Sequence, residues 1–172
     1  MGHHEHREHA PRSVGVGLVT VSTSRSPAED RSGPVMAELL QAAGHGVIER
    51  RLVQDGLEPV RRAVRELLAL PGVQVVLLSG GTGITREDLT LQALEPLAEL
   101  WLPGVGELFR QLSYAEIGTA AMLSRAAAAV CVAADGRRVL VVALPGSPAA
   151  VRLALEKVLL PELGHLVFEL NR

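Results

Sequence analysis

Apolar and polar positions alternate along the chain at two periods, and the switch between them outlines the fold. Val14 to Ser22 is an apolar or small-residue run that reads as a strand buried on both faces. Val35, Leu39, Leu40 and Ala43 then recur at helical spacing, with a helix start near Asp30 to Pro34 and a stop at Gly44-His45-Gly46. Val47 to Gln54 reads as a second strand closed by Asp55-Gly56. Leu57 to Leu70 is a helix with Val60, Val64, Leu67 and Leu68 inward, ended by Pro71-Gly72. Val73 to Leu78 is a third buried strand. Leu89 to Leu100 carries helical periodicity broken at Pro96, and a turn from Trp101 precedes an amphipathic helix through Tyr114. Ala126 to Ala133 combines alanines with Val130-Cys131-Val132 and reads as a strand, because the hairpin signal Ala134-Asp135-Gly136-Arg137 leads into a clear strand at Arg138 to Leu144. A helix through Val151, Leu155 and Val158 follows, and Pro161 to Leu170 closes the chain as a short helix or strand-like tail. Strands alternating with helices mean parallel strands joined by right-handed crossovers, here with an antiparallel edge.

Composition narrows the function classes. At 172 residues the chain suits one domain with a sizeable core. Hydrophobic residues reach 48% while aromatics are only 2%, which leaves little stacking surface for single-stranded nucleic acid. The formal net charge of −2 provides no field for nucleic acid or an anionic membrane. Cys131 stands alone among apolar neighbours, as a buried small hydrophobe in a reducing compartment. No apolar run is long enough for a membrane span and the N-terminus is polar, so the expectation is a soluble, cytoplasmic protein. Residues 1–12 hold His3, His4, His6 and His9 without apolar periodicity and are expected to be a disordered tail, with 13–172 forming a single domain.

The chemistry concentrates at strand ends. Ser79-Gly80-Gly81-Thr82-Gly83 follows the third strand, at the carboxyl end where open α/β sheets bind ligands. Its glycines allow positive φ and bring N–H groups near an anion, while Ser79, Thr82 and Thr85 supply hydroxyls. Asp88 places a carboxylate beside that anion site, which is repulsive unless a divalent cation intervenes; this suggests Mg²⁺ with a nucleotide or phosphorylated ligand, while a glycine-rich turn with an Asp favoured by the following helix dipole accounts for the loop equally well. The spacing matches neither G-x-x-x-x-G-K-[ST] nor G-x-G-x-x-G. Asp55 also closes a strand and would face the same edge, although an Asp-Gly turn alone is the favoured account of it at this point. Leu144-Pro145-Gly146-Ser147-Pro148 opens another helix and offers a second anion cradle. The scarce aromatics between Trp101 and Tyr114 read as packing or a subunit interface.

The ordered set of the Ser26 to Gly33 loop, Ser79 to Thr90, Pro103 to Glu107, Leu112-Ser113-Tyr114-Ala115-Glu116-Ile117-Gly118, Ser124-Arg125-Ala126 and Leu144 to Pro148 resembles the MogA/MoaB family of molybdenum-cofactor biosynthesis, which includes the gephyrin G domain. The resemblance covers residues 14 to about 165. It implies an α/β protein, a three-layer α/β/α arrangement with a mostly parallel sheet and an antiparallel edge hairpin, assembled as a trimer or, in some MoaB-type members, a hexamer. It further implies adenylylation of molybdopterin with Mg²⁺ and ATP, releasing pyrophosphate, and contacts with other proteins of the pathway. The family's two functional aspartates fall on Asp55 and Asp88, as Mg²⁺-holding groups. Its pterin and nucleotide pocket falls on Gly80, Gly81, Thr82 and Gly83, on Pro145, Gly146 and Ser147, and on nearby Ser124 and Arg125, the last offsetting oxyanion charge. Glu87-Asp88 stands where family adenylyltransferases commonly carry Arg-Asp, with Arg86 one position earlier. The Leu112 to Gly118 run looks like the MoaB branch, some of whose members lack the activity, so a non-catalytic molybdopterin-binding or scaffold protein is the alternative. The related domain of competence-damage and molybdenum-insertion proteins usually comes in longer chains.

Overall fold

The computed structural model describes residues 10–24, 26 and 28–172; nine residues of the expected tail, 1–9, lie outside the described ones, and with them its four histidines. Strands β1 (Gly15–Val21), β2 (Gly46–Val53), β3 (Val75–Ser79), β4 (Ala98–Trp101), β5 (Ala127–Val132) and β6 (Arg138–Leu144) form one sheet in the order β2-β1-β3-β6-β5-β4. The strands β2, β1, β3 and β6 run parallel, and β5 is antiparallel to both its neighbours.

Helices cover both faces, because the strands are apolar on both. In β3, Val75 and Leu77 pack with Met36 and Leu40 of α1 (Ser32–Ala42), Phe109 of α4 (Pro103–Ile117), Val151 of α5 (Pro148–Ala154) and Val167 of α6 (Leu163–Leu170). The alternate residues Val76 and Leu78 pack with Val60, Val64 and Leu67 of α2 (Leu57–Leu68) and Ala93 and Leu94 of α3 (Thr90–Leu94). A period of two along the strand therefore generates three layers. Leu155–Leu159 extends α5 with one π turn.

The expected hairpin is present, with Ala133 N donating to the Arg137 carbonyl at 2.9 Å. It does not end the sheet. The segment read as a broken helix and a turn supplies one more strand: α3 spans only five residues, Glu95–Leu97 forms a single 3₁₀ turn at Pro96, and Ala98–Trp101 then pairs with β5. Proline stops the helix, and four mostly exposed residues complete the edge. The C-terminal segment resolves as the helix α6. Cys131 is fully buried in β5, and burial pushes its thiol up to about 11.

Strand ends align at the carboxyl edge. Val21 pairs with Val53, Thr20 with Ser79, and Ser79 with Leu144, so the residues that follow emerge side by side. The chain leaves β1 toward β2 and returns past it to β3. The crevice outside β1 and β3 is thus the topological switch point where such sheets bind ligands.

Candidate functional site

A cleft of about 390 Å³ opens at this edge, within the usual size range for small-ligand sites. Three elements wall it: Gly81 to Gly83 with Asp88 and Ser124, Pro145 to Ser147 with the start of α5, and Phe109, Ser113, Glu116 and Ile117 of α4, with Leu123 beyond.

The loop after β3 keeps its shape through its glycines and through distant partners. Gly80 and Gly81 have φ of +108° and +66°, and a Cβ at Gly80 would strike the Val21 carbonyl. Gly80 N donates to the Leu144 carbonyl at 2.9 Å, while Thr90 Oγ1 donates to the Gly80 carbonyl at 2.9 Å and Thr90 N to that of Gly81 at 3.1 Å. The β6–α5 loop presses on the same spot, since a Cβ at Gly146 would lie 3.3 Å from Gly80 Cα. Ser147 caps α5, its Oγ accepting from Ala150 N at 3.2 Å.

Asp88 lines the cleft and is held in place. Its Oδ2 accepts from Thr85 N at 2.8 Å and from Thr85 Oγ1 at 2.6 Å. Partial burial pushes its pKa up, but the Thr85 bonds, the Gly83 N–H and the Arg125 charge together outweigh that and hold it below the ordinary aspartate value. Asp55 stands just outside the lining. Its Oδ2 accepts from Thr23 N at 2.7 Å and Thr23 Oγ1 at 2.9 Å, and a Cβ at Gly81 would lie 3.4 Å from its Oδ1. Strand alignment thus brings both aspartates against one glycine loop, on the side of Gly81 for Asp55 and of Gly83 for Asp88.

Eight of the residues expected from the sequence line the cleft: Gly81, Thr82, Gly83, Asp88, Ser124, Pro145, Gly146 and Ser147. Ser79 does not; it is fully buried and its hydroxyl is 2.8 Å from Ser32 Oγ, so it anchors α1 beneath the loop. The Thr85 hydroxyl likewise serves Asp88 rather than a ligand. Arg125 takes a different place. Its Nε donates to the Gly83 carbonyl at 2.6 Å, Nη2 to the Asp88 carbonyl at 2.6 Å and Nη1 to Gln92 Oε1 at 3.3 Å, so it clamps the loop from behind and is absent from the lining.

The α4 wall was missed. Phe109, Ser113 and Ile117 recur every four residues on one face, a pattern shared by core helices, so periodicity alone could not separate pocket from core.

Residues 17–165 match the family model for a probable molybdopterin binding domain. Molybdenum cofactor biosynthesis protein B of Bacillus cereus is 46% identical over 169 residues, covering 98% of this chain and 97% of that one; the Escherichia coli protein of the same name is 39% identical, covering 86% and 84%. Among solved structures, a molybdenum cofactor biosynthesis protein B aligns with a TM-score of 0.87 at 46% identity, covering 94% of this chain and 98% of that one. Tungsten cofactor synthesizing protein MoaB from Pyrococcus furiosus aligns at 0.85 and 35%, covering 95% and 100%, and a MogA structure at 0.79 and 31%, covering 91% and 99%. Glycine loops, paired strand-end aspartates, fold and sequence agree: the chain belongs to the MogA/MoaB family of molybdopterin-binding domains, with a role in molybdenum-cofactor biosynthesis.

Proposed function

We propose that the protein adenylylates molybdopterin, joining its terminal phosphate to the α-phosphorus of ATP and releasing pyrophosphate. The observation that carries this reading is the placement of Asp55 and Asp88 on either side of a glycine loop that lines a cleft whose described wall residues include no lysine, arginine or histidine. Among the described residues, phosphates brought there meet carboxylates rather than a cation, and their charge calls for a metal. The donor set fits Mg²⁺. Among the described residues no group of three or more metal-ligating side chains forms a preformed cage, and Mg²⁺ is ordinarily held by one or two carboxylates together with substrate phosphates and water. Asp55 and Asp88 would hold it, and when bound it would supply charge neutralisation on the transferring phosphate. Backbone N–H groups of the Gly81 to Gly83 and Gly146 to Ser147 loops would orient phosphate oxygens, and the fixed loop geometry supplies the positioning such transfers depend on.

Binding without catalysis is the competing reading. Arg125, the cation expected to serve transfer, is engaged by loop carbonyls, and Glu87 stands where family adenylyltransferases carry arginine. As for assembly, exposed Leu108, Tyr114 and Met122 on and after α4 support a homo-oligomer, a trimer or hexamer by family resemblance. A cytoplasmic location and contacts with other proteins of the pathway complete the proposal.

The test is single-turnover conversion of molybdopterin and Mg-ATP, tracking adenylyl-molybdopterin, with Asp88→Asn alongside. Product from the wild type and at least about a tenfold slower variant, about 1.4 kcal/mol of barrier, is the expected result. No product from wild-type protein that binds the pterin would sink catalysis and leave a carrier.

A further inference from the structure

The α4 wall holds a charged group that phosphate transfer does not use. Phe109, Ser113, Glu116 and Ile117 face the cleft along about 12 Å of helix. Exposure climbs along that line, from 2% at Phe109 and 4% at Ser113 to 59% at Ile117, so the helix runs from buried floor to open mouth and sets Glu116 near the mouth. Glu116 is exposed, and its carboxylate makes no hydrogen bond or ion pair among the described residues. Among the described residues, no lysine, arginine or histidine lines the cleft to neutralise it. The remaining surface near it is apolar, with Ile117, Leu123 and Leu153.

These walls suit a ligand with two different ends. The glycine loops accept an anion, and the apolar surface accepts a flat ring. A carboxylate accepts two parallel N–H donors, the pairing that glutamate and aspartate make with ring N–H and exocyclic amino groups. It also repels phosphate, which keeps the ligand from entering reversed.

We infer that Glu116 is the specificity residue for the heterocycle, pairing with the adjacent ring N–H and exocyclic amino group of a 2-amino-4-oxo pyrimidine edge. The inference rests on the molybdopterin reading and extends it, by naming what separates a pterin from other phosphorylated bicyclic rings. A ring with oxygen in place of the 2-amino group turns an acceptor toward the carboxylate, and a site built for a donor rejects such an analogue strongly.

The experiment measures binding of a 6-substituted pterin phosphate and of the matching 2,4-dioxopteridine phosphate, by quenching of ligand fluorescence, to wild type, Glu116→Gln and Glu116→Ala. The wild type is expected to prefer the pterin at least tenfold. In Glu116→Gln, whose amide offers one acceptor and one donor, the preference is expected to fall to threefold or less, through weaker pterin binding and unchanged or tighter dioxo binding. Glu116→Ala is expected to lose pterin affinity while keeping dioxo affinity. A preference that survives in both variants overturns the inference, as does an equal loss for both ligands, which would mark a structural role. Wild-type protein that binds neither ligand overturns the molybdopterin reading and this inference together; wild-type binding with unaltered selectivity in the variants overturns the inference alone.

Discussion

Two polar loops leave neighbouring strands at the same sheet edge, and they are built on opposite plans. The glycine loop after β3 is fixed by partners far away in sequence: Val21 and Leu144 from adjacent strands, and Arg125, some forty residues on, bonded to two of its carbonyls. Among the described residues, the tip of the loop after β1 is fixed from within. Ser26 N and Oγ both donate to Glu29 Oε2 at 2.8 Å, and Glu29 N returns to the Ser26 carbonyl at 2.9 Å. Asp30 caps α1 through Gly33 N at 2.9 Å; the base of the loop is anchored outside, through Thr23 on Asp55 and through Asp30, which accepts from Thr20 Oγ1 at 3.0 Å and lies 3.6 Å from Arg50 Nη2. A loop held by long-range contacts forms only when the sheet forms, whereas one held locally can rearrange without disturbing the core. The first is suited to holding a fixed anion geometry and the second to adjusting around what binds.

The largest effect expected from this contrast is at Gly80. Gly80→Ala forces a Cβ into the Val21 carbonyl at a φ that side chains avoid, and should lower unfolding free energy by on the order of 3 kcal/mol, read as a denaturation midpoint shift at constant slope. Arg125→Met comes next. Removing charge-assisted bonds to two carbonyls should cost about 2 kcal/mol and weaken pterin binding, although the side chain lies outside the cleft. Arg125→Lys should not restore binding, because one ammonium cannot span both carbonyls.

Acid gives a smaller, graded effect. Asp88 has a depressed pKa in the folded protein, so its stabilising contribution is complete above the ordinary aspartate value of 3.8 and disappears as pH falls through the depressed one. Thr85→Val removes the hydroxyl that helps to hold the carboxylate ionised, and should move that acid loss toward higher pH in denaturation measured from pH 5 downward. Ser26→Ala should leave the denaturation midpoint unchanged within error. A destabilisation matching that of Arg125→Met would break the contrast between the loops.

Legibility in the sequence followed the same division between local and distant causes. The strands β1, β3 and β6 are continuous apolar runs, and the glycine loop announces itself by composition, so the fold and the place of that loop at the sheet edge could be read directly. The strand β4 could not. Four residues behind a proline carry too little pattern, and their role is set by an unpaired β5 edge elsewhere in the chain. Arg125 enters the site reading through the family resemblance alone; only folding shows the Gly83 and Asp88 carbonyls turned toward it. Ser79 misled for a related reason, since a strand's last hydroxyl can point to a ligand or to the layer beneath, and here it meets Ser32.

The solitary thiol of β5 has a practical consequence. Cys131 lies in the second strand from one margin of the sheet, walled from solvent and reluctant to ionise. Alkylating reagents attack the thiolate, so modification waits for that margin to peel away. The residue is a native clock: its labelling half-life, followed against reagent concentration, times the detachment of the antiparallel end without any engineered probe.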